Sequence, residues 1–360
     1  MKILIAAGGT GGHLYPAIAV ARELLDRNWE TKVLFITTKK GCGVEILRRE
    51  ELEFRTIAAG GMKRKSLPDI LKSLFKLPFG FLQAVFYMAV FRPDVALGAG
   101  GYVSGPVLAA AWLLRVPRLI HEQNVLPGAT NRIAARIVNA IALGFKESAD
   151  YFPRSKTEAT GNPVRREFLE IKPRLKDVEN VDQFTLLIFG GSQGSHAINM
   201  AMVEAAAVLM DFPRPISILH QSGTADCEWI KEKYEELGVK ADVQPFIYDM
   251  FDAFRFADLI VCRAGAMTLS ELAAAGKPAI LIPLPTAADN HQEINARALE
   301  RNHAAEVLLE DEFLGERLAE KITYYMENPL ALMVVGEEIK KFSKPDAASR
   351  IAMMAEDLAG

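Results

Sequence analysis

Three glycine-rich turns in this chain follow short apolar runs, and each has the composition to cradle an anion. They are Gly8-Gly9-Thr10-Gly11-Gly12-His13, then Gly98 to Pro106 (GAGGYVSGP), then Gly190-Gly191-Ser192-Gln193-Gly194-Ser195-His196. A glycine turn between a strand and a helix lets backbone N–H groups approach a phosphate, and the helix dipole adds attraction. Any one such turn is equally well explained by tight strand–helix packing; three of them are not. A dinucleotide fingerprint is missing, because Leu14 stands where its third glycine belongs, and no phosphate-loop string ending in Gly-Lys-Ser/Thr occurs. His13 closes the first turn, where a neutral imidazole would accept a proton from a substrate hydroxyl; packing or capping is the plainer role. His121-Glu122-Gln123-Asn124 ends another apolar run. Four polar residues there are costly to bury unpaired, so they line a crevice or brace a loop.

Two further strings carry chemistry. Thr268-Leu269-Ser270-Glu271 reads as a capping box, or as a helix start facing a pyrophosphate with Glu271 on a ribose diol. Asp289-Asn290-His291-Gln292 reads as a polar loop at the same end of a sheet, or as an ordinary solvated loop. The sequence has no D-x-D and no clustered His/Cys set, and Glu310-Asp311-Glu312 reads as a surface run, so a metal-free mechanism without cofactors is expected. A different chemistry is written between residues 63 and 86. Lys63, Arg64 and Lys65 precede Ser66, an N-cap candidate, with Pro68 in the first turn. Leu67, Ile70, Leu71, Leu74 and Phe75 then follow helical spacing, with Lys72 and Lys76 on the other face. Pro78 and Gly80 are expected to interrupt this helix before Phe79, Phe81, Leu82, Val85 and Phe86. Cations beside so much apolar surface suit an anionic membrane, at about 1 kcal/mol per cation near the surface; a core-facing helix with a solvated basic face is the alternative.

The elements that must position these residues alternate along the chain. Apolar runs at 2–7, 32–37, 95–97, 118–121 and 140–143 read as strands, with helix-length patterns between several of them and a helix over Tyr15 to Arg27. The pattern restarts at Phe184–Phe189, where GGSQGSH repeats GGTGGH with one insertion, and continues with strands at 216–220, 241–244, 259–262 and 279–283. Alternating strands and helices mean βαβ units and a doubly wound parallel sheet in each half. The length of 360 residues also suits two domains. The boundary falls near residue 163, and a last helix, Ala347 to Leu358, lies beyond Lys344-Pro345. Forty-two Lys and Arg against 45 Asp and Glu leave a net charge of −3, so no global field invites nucleic acid. Three scattered cysteines, no leader pattern and no apolar run of spanning length suggest a reduced, cytosolic, non-transmembrane protein.

In this order along the chain, GGTGGH, GAGGYVSGP, HEQN, GNPVR (Gly161 to Arg165), FGGSQG, CRAGAMTLSELAAAGKPA (Cys262 to Ala279) and the DNHQ loop resemble the MurG family of bacterial transferases. Members add N-acetylglucosamine to a lipid-linked cell-wall precursor. The resemblance implies an α/β, GT-B architecture: two Rossmann-like domains facing a cleft, an acceptor and membrane domain over 1–163 and a UDP-sugar domain over 164–343. Residues 344–360 would pack back on the first. It implies UDP-N-acetylglucosamine as donor, lipid I (undecaprenyl-pyrophosphoryl-MurNAc-pentapeptide) as acceptor, and inversion to a β-1,4 bond in lipid II. The enzyme would sit peripherally on the cytoplasmic face of the bacterial inner membrane, without nucleic acid.

Carried over by position, Thr10, Gly11, Gly12, Asn124, Arg165 and Ser192 match donor contacts, and Ile247 the residue beside uracil. Ala266, Met267, Thr268, Leu269, Ser270 and Glu271 match the helix start under the pyrophosphate, and Gln292 a sugar contact. His13 or Glu122 would be the base. Gly100, Gly101 and Tyr102 would face the acceptor, and Lys63, Arg64, Lys65, Leu71, Lys72, Phe75, Lys76, Phe79 and Leu82 the membrane. His291 departs from the family, in which many members carry glutamine. Rival readings are a GT-B transferase with another lipid acceptor such as diacylglycerol, a nicotinamide oxidoreductase, and a non-catalytic nucleotide-sugar-binding subunit.

Overall fold

Apolar runs flanked by helical patterns on both sides form parallel strands with both faces covered. The computed structural model describes residues 1–8, 11–39, 43–60, 67–171, 183–191, 193–210, 212–213, 215–287, 290–311 and 313–360, and of residues 67–76 the backbone alone. The chain divides into two units, one formed by Met1–Arg165 with Lys344–Gly360 and the other by Arg166–Ser343.

In the first unit the strands are β1 (Lys2–Ala6), β2 (Lys32–Thr37), β3 (Phe54–Thr56), β4 (Val95–Gly98), β5 (Arg118–Glu122), β6 (Ala140–Leu143) and β7 (Thr157–Glu158). They pair in the order β3-β2-β1-β4-β5-β6-β7, every pair parallel. The pleat sends Ile3 and Ile5 into one core with Leu14, Ile18 and Leu24, and Leu4 and Ala6 into another with Met88, Val103 and Val107. The last helix, Ala347–Ala359, belongs to the first of these cores, where Ile351, Ala352 and Ala355 are fully buried. Gly161 makes room for the returning chain: at φ +87° it would otherwise drive a Cβ into the Lys344 side chain. Arg27–Glu356 (2.8 Å) and Arg350–Glu158 (2.7 Å) decorate this contact, but such part-exposed pairs add little beside the apolar packing.

The second unit contains β8 (Phe184–Phe189), β9 (Ile216–Gln221), β10 (Ala241–Gln244), β11 (Leu259–Cys262), β12 (Ala279–Leu281) and β13 (Glu306–Val307). Their order is β10-β9-β8-β11-β12-β13, again parallel throughout. In each unit the strand order reverses beside its first strand, at β1/β4 and β8/β11. The carboxyl ends of these strands form the place where doubly wound sheets bind ligands.

Several expectations are corrected. The first helix runs Gly11–Arg27, so His13 lies in its first turn instead of preceding it. Pro78 and Gly80 do not interrupt the third helix, which spans Leu67–Phe91 without a break; a lost N–H bond at Pro78 is tolerated inside a helix held by packing. Gly80 is buried there against the Ala58 carbonyl, an approach that a Cβ would block. Among the described residues no helix is long and apolar enough to cross a membrane.

Truncating Ile351 to alanine should lower stability in urea by about 2–4 kcal/mol, because it empties the seam between the returning helix and the Gly11–Arg27 helix. A loss under ~1 kcal/mol would make that helix a loosely attached appendage.

Candidate active site

Three adjacent strands deliver the polar cluster of the first unit. His13 follows β1, Ala99 to Tyr102 follow β4, and His121 to Asn124 end β5. The half-buried His13 ring lies against Gly100, at φ +101°, where an added Cβ would stand 2.6 Å from Nδ1. Gly101, at φ +78°, presses on the Gly8 carbonyl in the same way. Ser104 locks this turn: its hydroxyl accepts from the Gly100 N–H (3.0 Å) and faces the carbonyls of Gly100 (2.9 Å) and Ala6 (3.2 Å). Tyr102 is exposed at the rim.

His13 Nδ1 is 3.1 Å from Gln123 Oε1. The Gln123 amide nitrogen donates to the Ala99 carbonyl at 2.7 Å and lies 3.1 Å from His121 Nδ1. Burial pushes His121 down to about 4, so it is neutral at physiological pH. Glu122 is buried as well, and its carboxylate is fully engaged. Oε1 accepts from the Asn124 backbone (3.0 Å) and side chain (3.2 Å), and Oε2 from Gly128 N–H (3.0 Å) and Asn131 Nδ2 (2.9 Å). This carboxylate shapes the turn that holds Asn124. Arg165 stacks on Tyr15 of the His13 helix, 5.1 Å from the ring centre to the guanidinium carbon.

In the second unit the strand ends carry Gly190, Gly191 and Gln193 to Ser195 after β8, Gln221 at the end of β9, Ile247 after β10, Gly265 to Glu271 after β11 and Gln292 after β12. The helix Ala266–Ala275 starts two residues before Thr268, with Gly265 in extended conformation at its N-cap. The capping-box reading of Thr268 and Glu271 therefore fails, and the helix ends at left-handed Gly276. Ala266, Met267 and Thr268 sit in its first turn, where backbone N–H groups have no intrahelical acceptor. Leu269 N–H already bonds the Gly265 carbonyl, and the Ser270 hydroxyl donates to the Ala266 carbonyl. His291 and Gln292 open the helix His291–Glu300 instead of lying in a loop, and Gln292 Oε1 accepts from Leu284 N–H at 2.9 Å.

Two residues that sequence reading passed over brace these turns. Gln221, buried, donates to the Gly191 carbonyl and accepts from Ile247 N–H, both at 2.8 Å. Arg263 donates to Ser195 Oγ (2.5 Å) and to the carbonyls of Ile282 (3.1 Å) and Pro283 (3.2 Å), and pairs with Glu310. Glu310 is thus a partner of this buried guanidinium, not merely part of a solvated run. The signal for Gln221 was the one that exposed HEQN: a polar pair, His220-Gln221, ending an apolar strand.

Thr10, Ser192, Lys63, Arg64, Lys65 and Asp289 lie outside the described residues, as do the side chains of Leu71, Lys72, Phe75 and Lys76. Of the apolar patch, the structure shows Phe79, Leu82, Phe86 and Val90 at 66%, 61%, 63% and 69% exposure. Their spacing puts them in one stripe along the Leu67–Phe91 helix. The neighbouring helix Ser104–Leu113 packs on this one and ends in exposed Trp112 and Leu113. Among the described residues, no group of three or more His, Cys, Asp or Glu could hold a metal ion.

Replacing Gln221 by leucine leaves the buried Ile247 N–H and the Gly191 carbonyl without their partner. It should cost about 2–3 kcal/mol in urea unfolding; a cost below ~0.5 kcal/mol would mean that water replaces both bonds.

Comparison with known proteins agrees with this geometry. The glycosyltransferase family 28 N-terminal domain matches residues 3–143, and the family 28 C-terminal domain matches residues 185–351. A UDP-N-acetylglucosamine–N-acetylmuramyl-(pentapeptide) pyrophosphoryl-undecaprenol N-acetylglucosamine transferase of Geobacter sulfurreducens is 46% identical over 98% of this chain and 97% of its own length. The Myxococcus xanthus protein of the same name is 40% identical over 99% and 93%. The crystal structure of Acinetobacter baumannii MurG superposes with a TM-score of 0.78 at 31% identity, covering 99% of this chain and all of that one. Two Rossmann-like parallel-sheet units in this relationship to known structures are a GT-B fold. The chain belongs to glycosyltransferase family 28 and, within it, to the MurG family of N-acetylglucosamine transferases.

Proposed function

We propose that this protein transfers N-acetylglucosamine from UDP-N-acetylglucosamine to the C4 hydroxyl of the muramoyl sugar of lipid I, forming lipid II with inversion at the anomeric carbon. One observation carries the reading of its chemistry: in a chain 46% identical to such a transferase, His13 is held at the strand ends by Gly100 and Gln123. His13 takes the proton from the attacking hydroxyl. Glu122 is the weaker candidate, since four N–H groups already occupy its oxygens. Gly100, Gly101 and Tyr102 border the acceptor.

The donor nucleotide belongs to the second unit. Its base lies beside Ile247, its ribose diol on Glu271, and its pyrophosphate at the start of the Ala266–Ala275 helix with Ser192. Gln292 contacts the sugar, and Thr10, Gly11, Gly12, Asn124 and Arg165 supply further donor contacts. Charge grows on the leaving pyrophosphate as the glycosidic C–O bond breaks. Helix and loop N–H dipoles, fixed before the reaction, stabilise that charge more in the transition state than in the ground state. The chemistry assigned to these residues needs no metal or other cofactor.

The acceptor is a lipid, so the enzyme works at a membrane. Phe79, Leu82, Phe86 and Val90 present an exposed apolar stripe on the helix that follows Lys63, Arg64 and Lys65, a composition suited to the anionic cytoplasmic face of the inner membrane.

Incubation with UDP-N-acetylglucosamine and a short-chain lipid I analogue should yield UDP and a lipid II analogue at equal rates with and without EDTA. Abolition by EDTA would overturn the metal-free stabilisation. UDP binding without product would reopen the acceptor, with diacylglycerol tested next. Replacing Phe79, Leu82 and Phe86 together by serine should weaken binding to anionic vesicles at least about tenfold, each buried apolar side chain being worth ~1.5–3 kcal/mol. Neutralising Lys63, Arg64 and Lys65 should weaken it more at low salt than at high. Unchanged vesicle binding by both variants would remove this surface from the membrane.

A further inference from the structure

The side chain of Gln123 is an amide whose two ends cannot be exchanged. One end meets the Ala99 carbonyl at 2.7 Å, and a carbonyl can only accept, so that end is the NH2 group. Its second hydrogen faces His121, with the backbone carbonyl at 3.4 Å and ring Nδ1 at 3.1 Å, the latter an acceptor when the neutral ring carries its proton on Nε2. The other end is therefore the carbonyl oxygen, and it stands 3.1 Å from His13 Nδ1. An oxygen that can only accept requires a proton on that nitrogen. A neutral imidazole carries one proton, so the lone pair of His13 is on Nε2.

We propose that Gln123 is a positioning residue that fixes the neutral tautomer of His13 with its proton on Nδ1, making Nε2 the basic nitrogen. The inference deepens the reading of His13 as the general base and rests on it for its catalytic consequence. In the reaction the acceptor O–H bond breaks as an N–H bond forms on Nε2. The oxygen's electron pair makes the new bond to the anomeric carbon, and the old C–O pair leaves with UDP. An Nε2–H ring would present a donor to that hydroxyl and could not take its proton.

Three contacts keep the arrangement from inverting. Gly100 seats the ring so closely that only a residue without a Cβ fits beside Nδ1. The Ala99 carbonyl, fixed at the end of β4, holds the amide against flipping. His121 is kept neutral by burial; a charged ring would turn its Nδ1 into a donor facing the amide hydrogens.

The test is the tautomer itself. The chain has six histidines, so isotope-labelled histidine gives long-range proton–nitrogen correlation spectra in which His13 is assigned by its loss in His13→Ala. The full chain should show His13 protonated on Nδ1. Gln123→Met, which has no acceptor, should shift His13 toward the Nε2-protonated form and lower kcat about 10- to 100-fold with the donor KM unchanged. Gln123→Glu keeps an oxygen on Nδ1 and should keep the parent tautomer. An Nε2-protonated His13 in the parent chain overturns the proposal, even if Gln123→Met fails to fold. So does an unchanged His13 spectrum in a folded Gln123→Met. If Gln123 controls the tautomer but His13→Ala retains full turnover, the base reading fails and the hold of Gln123 on the ring stands.

Discussion

The His13 ring lies so near the Gly100 backbone that a single methyl group on Gly100 would displace it, and the first unit is arranged to permit that approach. Gly100 and Gly101 take positive φ, which L side chains rarely adopt, so the turn after β4 can fold over the turn after β1. Ser104 satisfies the Gly100 N–H that this conformation leaves inside, while facing the carbonyl at the end of β1. Side-by-side pairing of β1, β4 and β5 then brings His13, the Gly100 turn and Gln123 within hydrogen-bonding reach of one another. Loosening these strand ends would cost geometry at the imidazole, which is seated by the close approaches of Gly100 to the ring and of Gly101 to the Gly8 carbonyl.

The second unit solves a related problem with buried polar struts. Its glycine turn after β8 is half-buried, and side chains from neighbouring strands and helices partner its backbone and side-chain groups. Gln221 bonds Gly191, and Arg263 bonds Ser195. Asn199 donates to the Ser222 carbonyl, against which Gly194 packs without room for a Cβ, and to Asp226. Those donations leave the Asn199 oxygen to accept from His220 Nε2 at 3.0 Å, and His220 Nδ1 to accept from the Tyr234 hydroxyl at 2.9 Å. Burial drives His220 down to about 3, so this ring stays neutral and the network keeps one hydrogen-bond polarity across physiological pH. A network satisfied at every member stiffens its loop, whereas a partly satisfied one would cost stability. The described residues on either side of position 192 are thus held by side chains from neighbouring elements.

The strands at 32–37, 140–143, 184–189 and 259–262 were legible to the residue because they are largely apolar runs with helices covering both faces; 241–244 was placed as well, although Asp242 and Gln244 break its run. The edge strands β3, β7 and β13, two or three residues each, were not, since so short a segment carries no periodicity. Helix starts were misplaced beside glycine: low propensity at Gly11 and Gly12 hides a start that tertiary contacts impose, and Gly265 at an N-cap has no side chain to mark one. The helix through Pro78 misled in the opposite direction, because local rules break at proline and packing overrides them. Among site residues, the types and their strand ends were visible in the sequence. What was hidden was division of labour, such as Glu122 spent on four N–H groups or Gln123 aligned between two histidines, which depends on side-chain directions that no spacing encodes.

The two glycine turns show how one residue of spacing separates two chemistries. In GGTGGH the histidine falls in the first turn of the helix, against Gly100, with its Nδ1 on Gln123. In GGSQGSH the inserted residue lets Ser195 cap the helix, accepting from Ile198 N–H, and the histidine becomes the first helical residue. There it points outward: His196 is 71% exposed, bonds Asp226 at 2.9 Å and leans on Trp229. It has neither a seat in the strand-end cluster nor an amide to set its proton. Cap formation at Ser195 also gives Arg263 a hydroxyl to grip, which ties the loop to the strand ends at Ile282 and Pro283. The two similar strings therefore place an oriented imidazole among the strand ends of one unit and, in the other, a serine-capped helix start whose histidine turns outward.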